Sequence, residues 1–272
     1  MRRGLFFLFL FAILATEGRS EGETPLRVLM TGDDSRGWKA VGRLNVGERS
    51  FCTASLIAPD LVLTAAHCMF DKSTGQRMQD SEIEFLADWR GGRAAAYRGV
   101  RRSIVHPSFH MEDPDFAGRV AYDVAILELD QPIRNGSIEP FEMRMSAVAG
   151  TEVGVVSYAH DRADSASLQE VCHVLAFQHT SLVLSCDVDF GSSGAPVFVI
   201  ENGVAKIVSL VSAKAKLRGE AVALGAPLAA PLIDLMALRA QSDGVFGRPD
   251  PVVTHLSAGE AHATTGAKFL RP

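Results

Sequence analysis

Three short stretches of the chain carry residue types that could together perform acyl transfer. His67 lies in "LTAAHC", Asp123 opens an apolar run in "AYDVAILELD", and Ser193 lies among small residues in "DVDFGSSGAPVF". Each residue alone has an ordinary explanation, since a lone histidine is often structural, a strand-start aspartate can face water, and Gly, Ser and Pro are common in turns. Together, in this chain order, they supply a base, a carboxylate and a nucleophile.

The reaction that needs this set is the attack of a serine hydroxyl on a carbonyl carbon. The hydroxyl is a weak nucleophile until a base within hydrogen-bond reach takes its proton, and the imidazole needs a carboxylate that fixes its tautomer. The resulting oxyanion needs donors already in place. Gly191 and Ser193 could supply two backbone N–H groups, because a glycine lets the chain turn there. Ser193 is favoured over Ser192 because Gly191 lies two residues before it and small residues follow it.

One rival arrangement, the nucleophile elbow of α/β-hydrolases, does not fit. That motif reads G-x-S-x-G and its histidine comes last in the chain. Here Ala195 replaces the final glycine, and His67 comes first.

The elements that must position these residues read as short strands. Apolar runs of four to nine residues, rich in Val, Ile, Leu and Phe, alternate with turn signals, which is typical of an all-β sandwich or barrel. Asn202-Gly203 predicts a tight hairpin. Residues 226–241 have helical spacing and predict a C-terminal helix. Residues 241–272 lack periodicity and are interpreted as a flexible tail.

Composition narrows the class of function. Residues 1–20 have a basic start, an apolar run shorter than the roughly 20 residues that span a bilayer, and small residues at the exit, which predicts a signal peptide and a secreted or periplasmic protein. Removal of this signal peptide would lower the number of basic residues from 27 to 24 and of acidic residues from 32 to 31, which gives a net charge of −7. An acidic chain is a poor candidate for binding nucleic acid. No second stretch is long and apolar enough to cross a membrane.

The four cysteines indicate disulfides in an exported chain, and four cysteines allow three pairings. None forms a C-x-x-C, which argues against zinc or redox motifs. Their short separations predict the pairs Cys52–Cys68 and Cys172–Cys186. The histidines other than His67 show no paired ligand spacing, so no metal site and no cofactor is predicted, although calcium ligands have no readable spacing outside defined loops.

These motifs jointly identify a family resemblance over roughly residues 37–240. "LTAAHC", "SIVHPSF" with "YDVAILELDQPI", "GSSGAPVF" and "IVSLVS" resemble the motifs of trypsin-like serine proteases of the chymotrypsin fold, closer to the bacterial branch than to the digestive enzymes. Cys52 and Cys68 are placed like the disulfide that flanks the family's histidine. The resemblance implies two antiparallel six-stranded β-barrels that divide near residue 140, with the site in the crevice between them.

The resemblance also implies a role for each matched residue. Ser193 would be the nucleophile, His67 the general acid and base, and Asp123 its orienting carboxylate. The Gly191 and Ser193 amides would form the oxyanion hole. Ser209 matches the position whose hydroxyl supports the aspartate in relatives.

Other positions depart from the family or leave alternatives open. Ser192 replaces the aspartate that receives the new N-terminus in digestive enzymes, so activation by that salt bridge is not expected, and residues 21–36 could be a propeptide or a lead-in. Asp187 matches the pocket carboxylate of relatives that cut after Arg or Lys, but it could instead face water. Asp189 is a second candidate. Val211 matches a pocket-wall glycine and could favour small side chains instead.

The leading hypothesis is a secreted serine endopeptidase that hydrolyses protein or peptide substrates through an acyl-enzyme. The alternatives are a protease-fold binding protein that has lost turnover and a hydrolase of small esters. The presence of all three candidate residues favours an enzyme over a silent binding protein.

Overall fold

The computed structural model describes residues 22–47 and 50–243, with side chains described up to residue 241. The predicted signal peptide and nearly all of the predicted tail lie outside these residues. Within the described part, no helix is long and apolar enough to span a membrane. The chain is built mainly from strands, and both sheets belong to one compact unit that ends at Leu235.

The first sheet is a closed six-stranded barrel. Its strands pair antiparallel in the order β2-β3-β4-β7-β6-β5. They are β2 (Val41–Val46), β3 (Ser50–Ala58), β4 (Leu61–Thr64), β5 (Ile83–Ala87), β6 (Ala96–Val105) and β7 (Ala125–Leu129). Closure removes exposed strand edges, and the interior is filled by fully buried apolar side chains such as Leu63, Phe85 and Ile126.

The second sheet closes in the same way and carries two additional short strands. A six-stranded ring runs β9-β10-β11-β14-β13-β12 and returns to β9, while β1 pairs with β10, and β8 pairs with β13 in parallel. The members are β1 (Arg27–Val28), β8 (Glu142–Met143), β9 (Glu152–Ala159), β10 (Arg162–Gln178), β11 (Ser181–Leu184), β12 (Pro196–Glu201), β13 (Val204–Leu217) and β14 (Glu220–Pro227). The all-β fold with two six-stranded barrels is therefore confirmed, with one parallel pair as the exception.

Local signals in the sequence are confirmed in two places. Asn202 and Gly203 both have positive φ and join β12 to β13, with Glu201 opposite Val204, which is the geometry that an Asn-Gly hairpin requires. The C-terminal helix, α2 (Ala229–Asp243), begins three residues later than predicted because residues 226–227 still belong to β14.

Both disulfides have the predicted partners. Cys52 bonds to Cys68 in the first barrel, and Cys172 bonds to Cys186 in the second. The first links β3 to the 3-10 helix Ala66–Met69 and the second links β10 to the segment after β11. Each bond therefore constrains a short loop inside one barrel.

One helix was not predicted. The helix α1 (Phe116–Ala121) begins after Asp115, whose carboxylate accepts a hydrogen bond from the amide of Ala117 as an N-cap. It ends two residues before Asp123, so it fixes the chain's approach to that residue.

Candidate active site

His67 and Asp123 meet through two hydrogen bonds. His67 lies in the 3-10 helix after β4, and Asp123 lies between α1 and β7. The backbone N–H of His67 donates to Asp123 Oδ1 at 2.8 Å, and His67 Nδ1 lies 2.7 Å from Asp123 Oδ2. The carboxylate side chain is 3% exposed and the imidazole 16%. With Nδ1–H donating to the carboxylate, Nε2 carries the lone pair and can accept a proton.

A third hydrogen bond to Asp123 comes from Ser212 and not, as expected, from Ser209. The Ser212 hydroxyl donates to Asp123 Oδ2 at 2.5 Å, whereas the Ser209 hydroxyl donates to the carbonyl oxygen of Ala226 at 2.8 Å. The expectation for Ser209 is wrong because β13 has a bulge in its pairing with β14 between Val211 and Ala213, and the residue at the bulge, Ser212, is the one that faces Asp123. The residue that supports Asp123 thus lies three residues further along β13 than the family resemblance implies.

The loop that carries Ser193 requires its two glycines. Gly191 has φ of +100° and Gly194 has φ of +77°, a region that residues with a Cβ rarely adopt. A Cβ on Gly191 would lie 2.5 Å from the Phe51 ring, and a Cβ on Gly194 would overlap the Thr64 hydroxyl and the Thr53 carbonyl oxygen. The loop is thus packed directly against the first barrel.

Thr53, on β3, makes two hydrogen bonds from the first barrel to this loop. It is fully buried. Its backbone N–H donates to the carbonyl oxygen of Ser193 at 2.9 Å, and its hydroxyl donates to the carbonyl oxygen of Gly191 at 2.9 Å. The hydroxyl also accepts from the amide of Tyr158 at 3.0 Å. One residue therefore holds the carbonyl groups of Gly191 and Ser193, on both sides of the predicted oxyanion site.

Tyr158 lies beneath this loop in the second barrel. Burial raises the pKa of its hydroxyl, which stays protonated and donates to the carbonyl oxygen of Trp89 at 3.0 Å. Ser192 is also fully buried and its hydroxyl donates to the carbonyl oxygen of Tyr158 at 3.3 Å. Ser192 is thus committed to structure, whereas Ser193 is partly exposed.

The amides of Gly191 and Ser193 donate to no acceptor in the described part of the protein. His67 and Ser193 line one cavity of about 590 Å³. Among the described residues, no hydrogen bond joins the Ser193 hydroxyl to His67. Such bonds are often long in unliganded enzymes and tighten when substrate binds. The cavity therefore brings together a polarised imidazole and a partly exposed hydroxyl, and the loop that carries the hydroxyl holds the two free N–H groups.

The remaining pocket candidates differ in where they lie. Val211 and Asp189 line the cavity with Ser193, but Asp187 is exposed and lines a separate, smaller cavity. Lys214 also lines the main cavity, and its Nζ lies 3.7 Å from Asp189 Oδ1. The residue that supports Asp123 is Ser212 rather than Ser209, three residues further along β13. The same displacement of three residues moves the expected pocket-wall position from Val211 to Lys214.

One group of described residues has the spacing of metal ligands, and its chemistry does not fit an ion. It consists of Cys52, His67 and Cys68. Both sulfur atoms are in the Cys52–Cys68 disulfide, so neither is available as the thiolate that a metal would need.

Comparison with known proteins places this fold and site in a family. A family model described as Trypsin matches residues 31–223, more than half of the chain. The chain belongs to the trypsin family. The matched part of this trypsin-family protein contains His67, Asp123 and Ser193.

Three curated relatives share parts of this trypsin-family chain. A glutamyl endopeptidase from Bacillus licheniformis is 26% identical over 148 residues, 54% of this chain and 45% of the relative. A suppressor of tumorigenicity 14 protein homolog from Bos taurus is 35% identical over 35% of this chain and 11% of the relative. Venom serine protease 34 from Apis mellifera is 26% identical over 46% of this chain and 36% of the relative. The chain thus spans less than half of the length of each relative.

A solved structure shares the fold of this chain, and the match covers nearly the whole of the solved chain. It is a Glu endopeptidase in complex with MPD, with a TM-score of 0.66 and 18% identity, and the match covers 81% of this chain and 99% of that one. The bacterial relative agrees with the sequence's resemblance to the bacterial branch of the family.

Three contributors to the site of this trypsin-family protein were missed by sequence reasoning. Thr53 follows Cys52 directly, but a threonine in a strand carries no chemical signal. Ser212 was hidden by the shifted match along β13. Lys214 lies two residues after Ser212, so a match of the family motif to Ser212 would have predicted it at the pocket wall.

Proposed function

We propose that this chain is a secreted serine endopeptidase that hydrolyses peptide bonds through an acyl-enzyme. The observation that carries the proposal is that His67, which lines one cavity with Ser193, pairs with a buried, triply hydrogen-bonded Asp123. This arrangement supports the roles of general base, orienting carboxylate and nucleophile.

The proposed reaction has two halves. Ser193 Oγ attacks the carbonyl carbon of the substrate while His67 Nε2 takes the hydroxyl proton, and the oxyanion receives hydrogen bonds from the Gly191 and Ser193 amides. His67 then gives that proton to the amine as the C–N bond breaks, leaving an ester on Ser193. Water attacks the ester with His67 again as base, which releases the acid and restores the serine.

A fluorophosphonate reaction tests the proposal. We expect one fluorophosphonate per protein, mapped to Ser193 rather than Ser192 by peptide mass, and no label in His67→Ala or Ser193→Ala. Intact mass and peptide mapping of the disulfide-bonded protein measure this. A folded protein that takes no label would be a latent zymogen or the silent binding protein. A labelled protein that cleaves small esters but no peptide would be an ester hydrolase.

The charges around the cavity support an acidic rather than a basic preference for the residue before the cleaved bond. Lys72, Lys214 and Lys216 line the cavity, against one carboxylate, Asp189. A guanidinium or ammonium would meet net positive charge there, whereas a carboxylate could pair with Lys214 in place of Asp189. The exposed Asp187 offers no balancing charge in this cavity. One relative is itself named a glutamyl endopeptidase.

Reversing the charge at Lys214 tests this preference. We expect Lys214→Glu to lower kcat/KM for a Glu peptide roughly tenfold relative to its Gln analogue, since a half-exposed charge pair is worth up to about 1 kcal/mol and the reversal adds repulsion. Matched peptides with Glu, Gln or Arg before the bond measure it. Arg134→Glu is the control, because Arg134 is exposed in the segment that connects β7 to β8 and the change in net charge is the same. A wild-type preference for Arg would contradict the acidic preference.

A further inference from the structure

Gln169 joins two distant segments of the chain through one buried carboxamide. It lies on β10 and is 4% exposed. Its Nε2 donates to the carbonyl oxygen of Thr24 at 3.1 Å, and its Oε1 accepts from the amide of Asp187 at 2.7 Å. Both ends of the side chain are thus used, and each partner is a backbone group outside β10.

The N-terminal partner is held in place by its own contacts. The Thr24 amide donates to the carbonyl oxygen of Val171 at 3.1 Å, and the Val171 amide donates to the Thr24 hydroxyl at 2.9 Å. Further along, β1 pairs with β10, and Leu29 is 1% exposed in the core. The segment 24–29 is therefore an ordered part of the second barrel rather than a loose lead-in.

The other partner, the Asp187 amide, directly precedes a residue that lines the substrate cavity. Asp187 follows Cys186, which is bonded to Cys172. Asp187 precedes Val188, which is buried and lines the cavity with Ser193. The disulfide fixes the chain on one side of the Asp187 amide, and the Gln169 carboxamide fixes the amide itself. The position of Val188 follows from both.

We propose that Gln169 is a positioning residue that couples the segment 24–29 to the wall of the substrate cavity. The segment would then belong to the working enzyme, and cleavage within it would loosen substrate binding without touching the triad. This inference rests on the proposed function, since it assigns regulation of the same site.

The test compares three variants of the mature protein. Gln169→Met keeps the length of the side chain but removes both hydrogen bonds, Gln169→Glu keeps an acceptor for the Asp187 amide, and Gln178→Met makes the Met change at an exposed site on the same strand. Hydrogen exchange of peptides that cover residues 22–30 and 185–190 reports the two contacts. Steady-state kinetics on a Glu peptide and the rate of fluorophosphonate labelling report the site.

We expect Gln169→Met to raise exchange in both peptides and to raise KM about fivefold, the size expected for one lost hydrogen bond. The labelling rate should stay within about twofold of wild type, because the triad and oxyanion amides are unchanged. Gln169→Glu should restore protection of residues 185–190, and Gln178→Met should match wild type.

Two results would overturn the coupling. One is unchanged exchange at residues 185–190 in Gln169→Met. The other is a general loss of thermal stability with KM unchanged at a temperature where the protein is folded, which would mean a merely structural glutamine. Failure of the proposed function is distinct, because it would appear as an unlabelled, inactive wild type, and the exchange measurement would still decide whether Gln169 links the two segments.

Discussion

Replacing Asp123 by asparagine is expected to lower kcat for peptide hydrolysis by about four orders of magnitude. The amide has nearly the shape of the carboxylate, so the fold should persist. Its NH₂ group cannot accept a hydrogen bond from His67 Nδ1–H, which favours the imidazole tautomer with the proton on Nε2. That tautomer cannot take the proton of Ser193. Circular dichroism should report a folded protein, and single-turnover kinetics the loss.

Ser212→Ala is the matched control for this prediction. It removes one of the three hydrogen bonds to Asp123 but leaves the carboxylate and both bonds to His67. We expect a fall in kcat of only about tenfold, as for one hydrogen bond to a charged group. An Asp123→Asn protein that keeps more than a tenth of wild-type kcat would show that Asp123 does not orient the base.

Replacing Thr53 by valine is expected to have the second largest effect, a fall in kcat of about two orders of magnitude with KM little changed. Valine has nearly the same shape, but it removes the hydroxyl bonded to the Gly191 carbonyl oxygen and to the Tyr158 amide. The Gly191 carbonyl would then be free to rotate, and the backbone angles of Gly191 that orient its amide would no longer be fixed. Because the oxyanion forms only in the reaction, the loss should fall on kcat rather than on substrate binding.

Thr53→Ser keeps the hydroxyl and tests whether the hydrogen bonds or the packing matter. It should retain most of the activity, while Thr53→Val should also lose about 1–3 kcal/mol of unfolding free energy through a buried, unpaired N–H group. Chemical denaturation and peptide kinetics at low denaturant separate the two effects. Equal activity in Thr53→Val and wild type would refute the role assigned to Thr53.

Sequence patterns predicted the strands with apolar runs and missed those without them. The strand β3 (SFCTASLIA) is such an apolar run, but β6 and β10 are interrupted by charged and polar residues. Those strands have one face toward solvent or toward polar partners, as Gln169 does, so their sequences lack a continuous apolar signal. The strands β6 and β10 can be recognised only from their hydrogen-bonded pairing with neighbouring strands.

The same limit applies to the site. Glycine positions and the Asn-Gly turn are local properties of the backbone, and they could be predicted because few residues adopt positive φ. The partners of Asp123 and of the Asp187 amide are Ser212 on β13 and Gln169 on β10. Whether these side chains reach their partners depends on which face of the strand each one occupies. A bulge in the pairing of β13 with β14, between Val211 and Ala213, changes that alternation close to Ser212. Sequence spacing alone cannot show such a shift.

The two disulfides each lie within one barrel, and the described contacts that join Thr53 to the Ser193 loop are all hydrogen bonds. The groups proposed for catalysis are thus divided between the two barrels, with His67 and Asp123 in the first and Ser193 in the second. Each barrel has its own disulfide, and no described disulfide joins the two. Each half therefore keeps its own internal link, while the contacts at the crevice are non-covalent. Activity would then report the docking of the barrels as well as the integrity of either one.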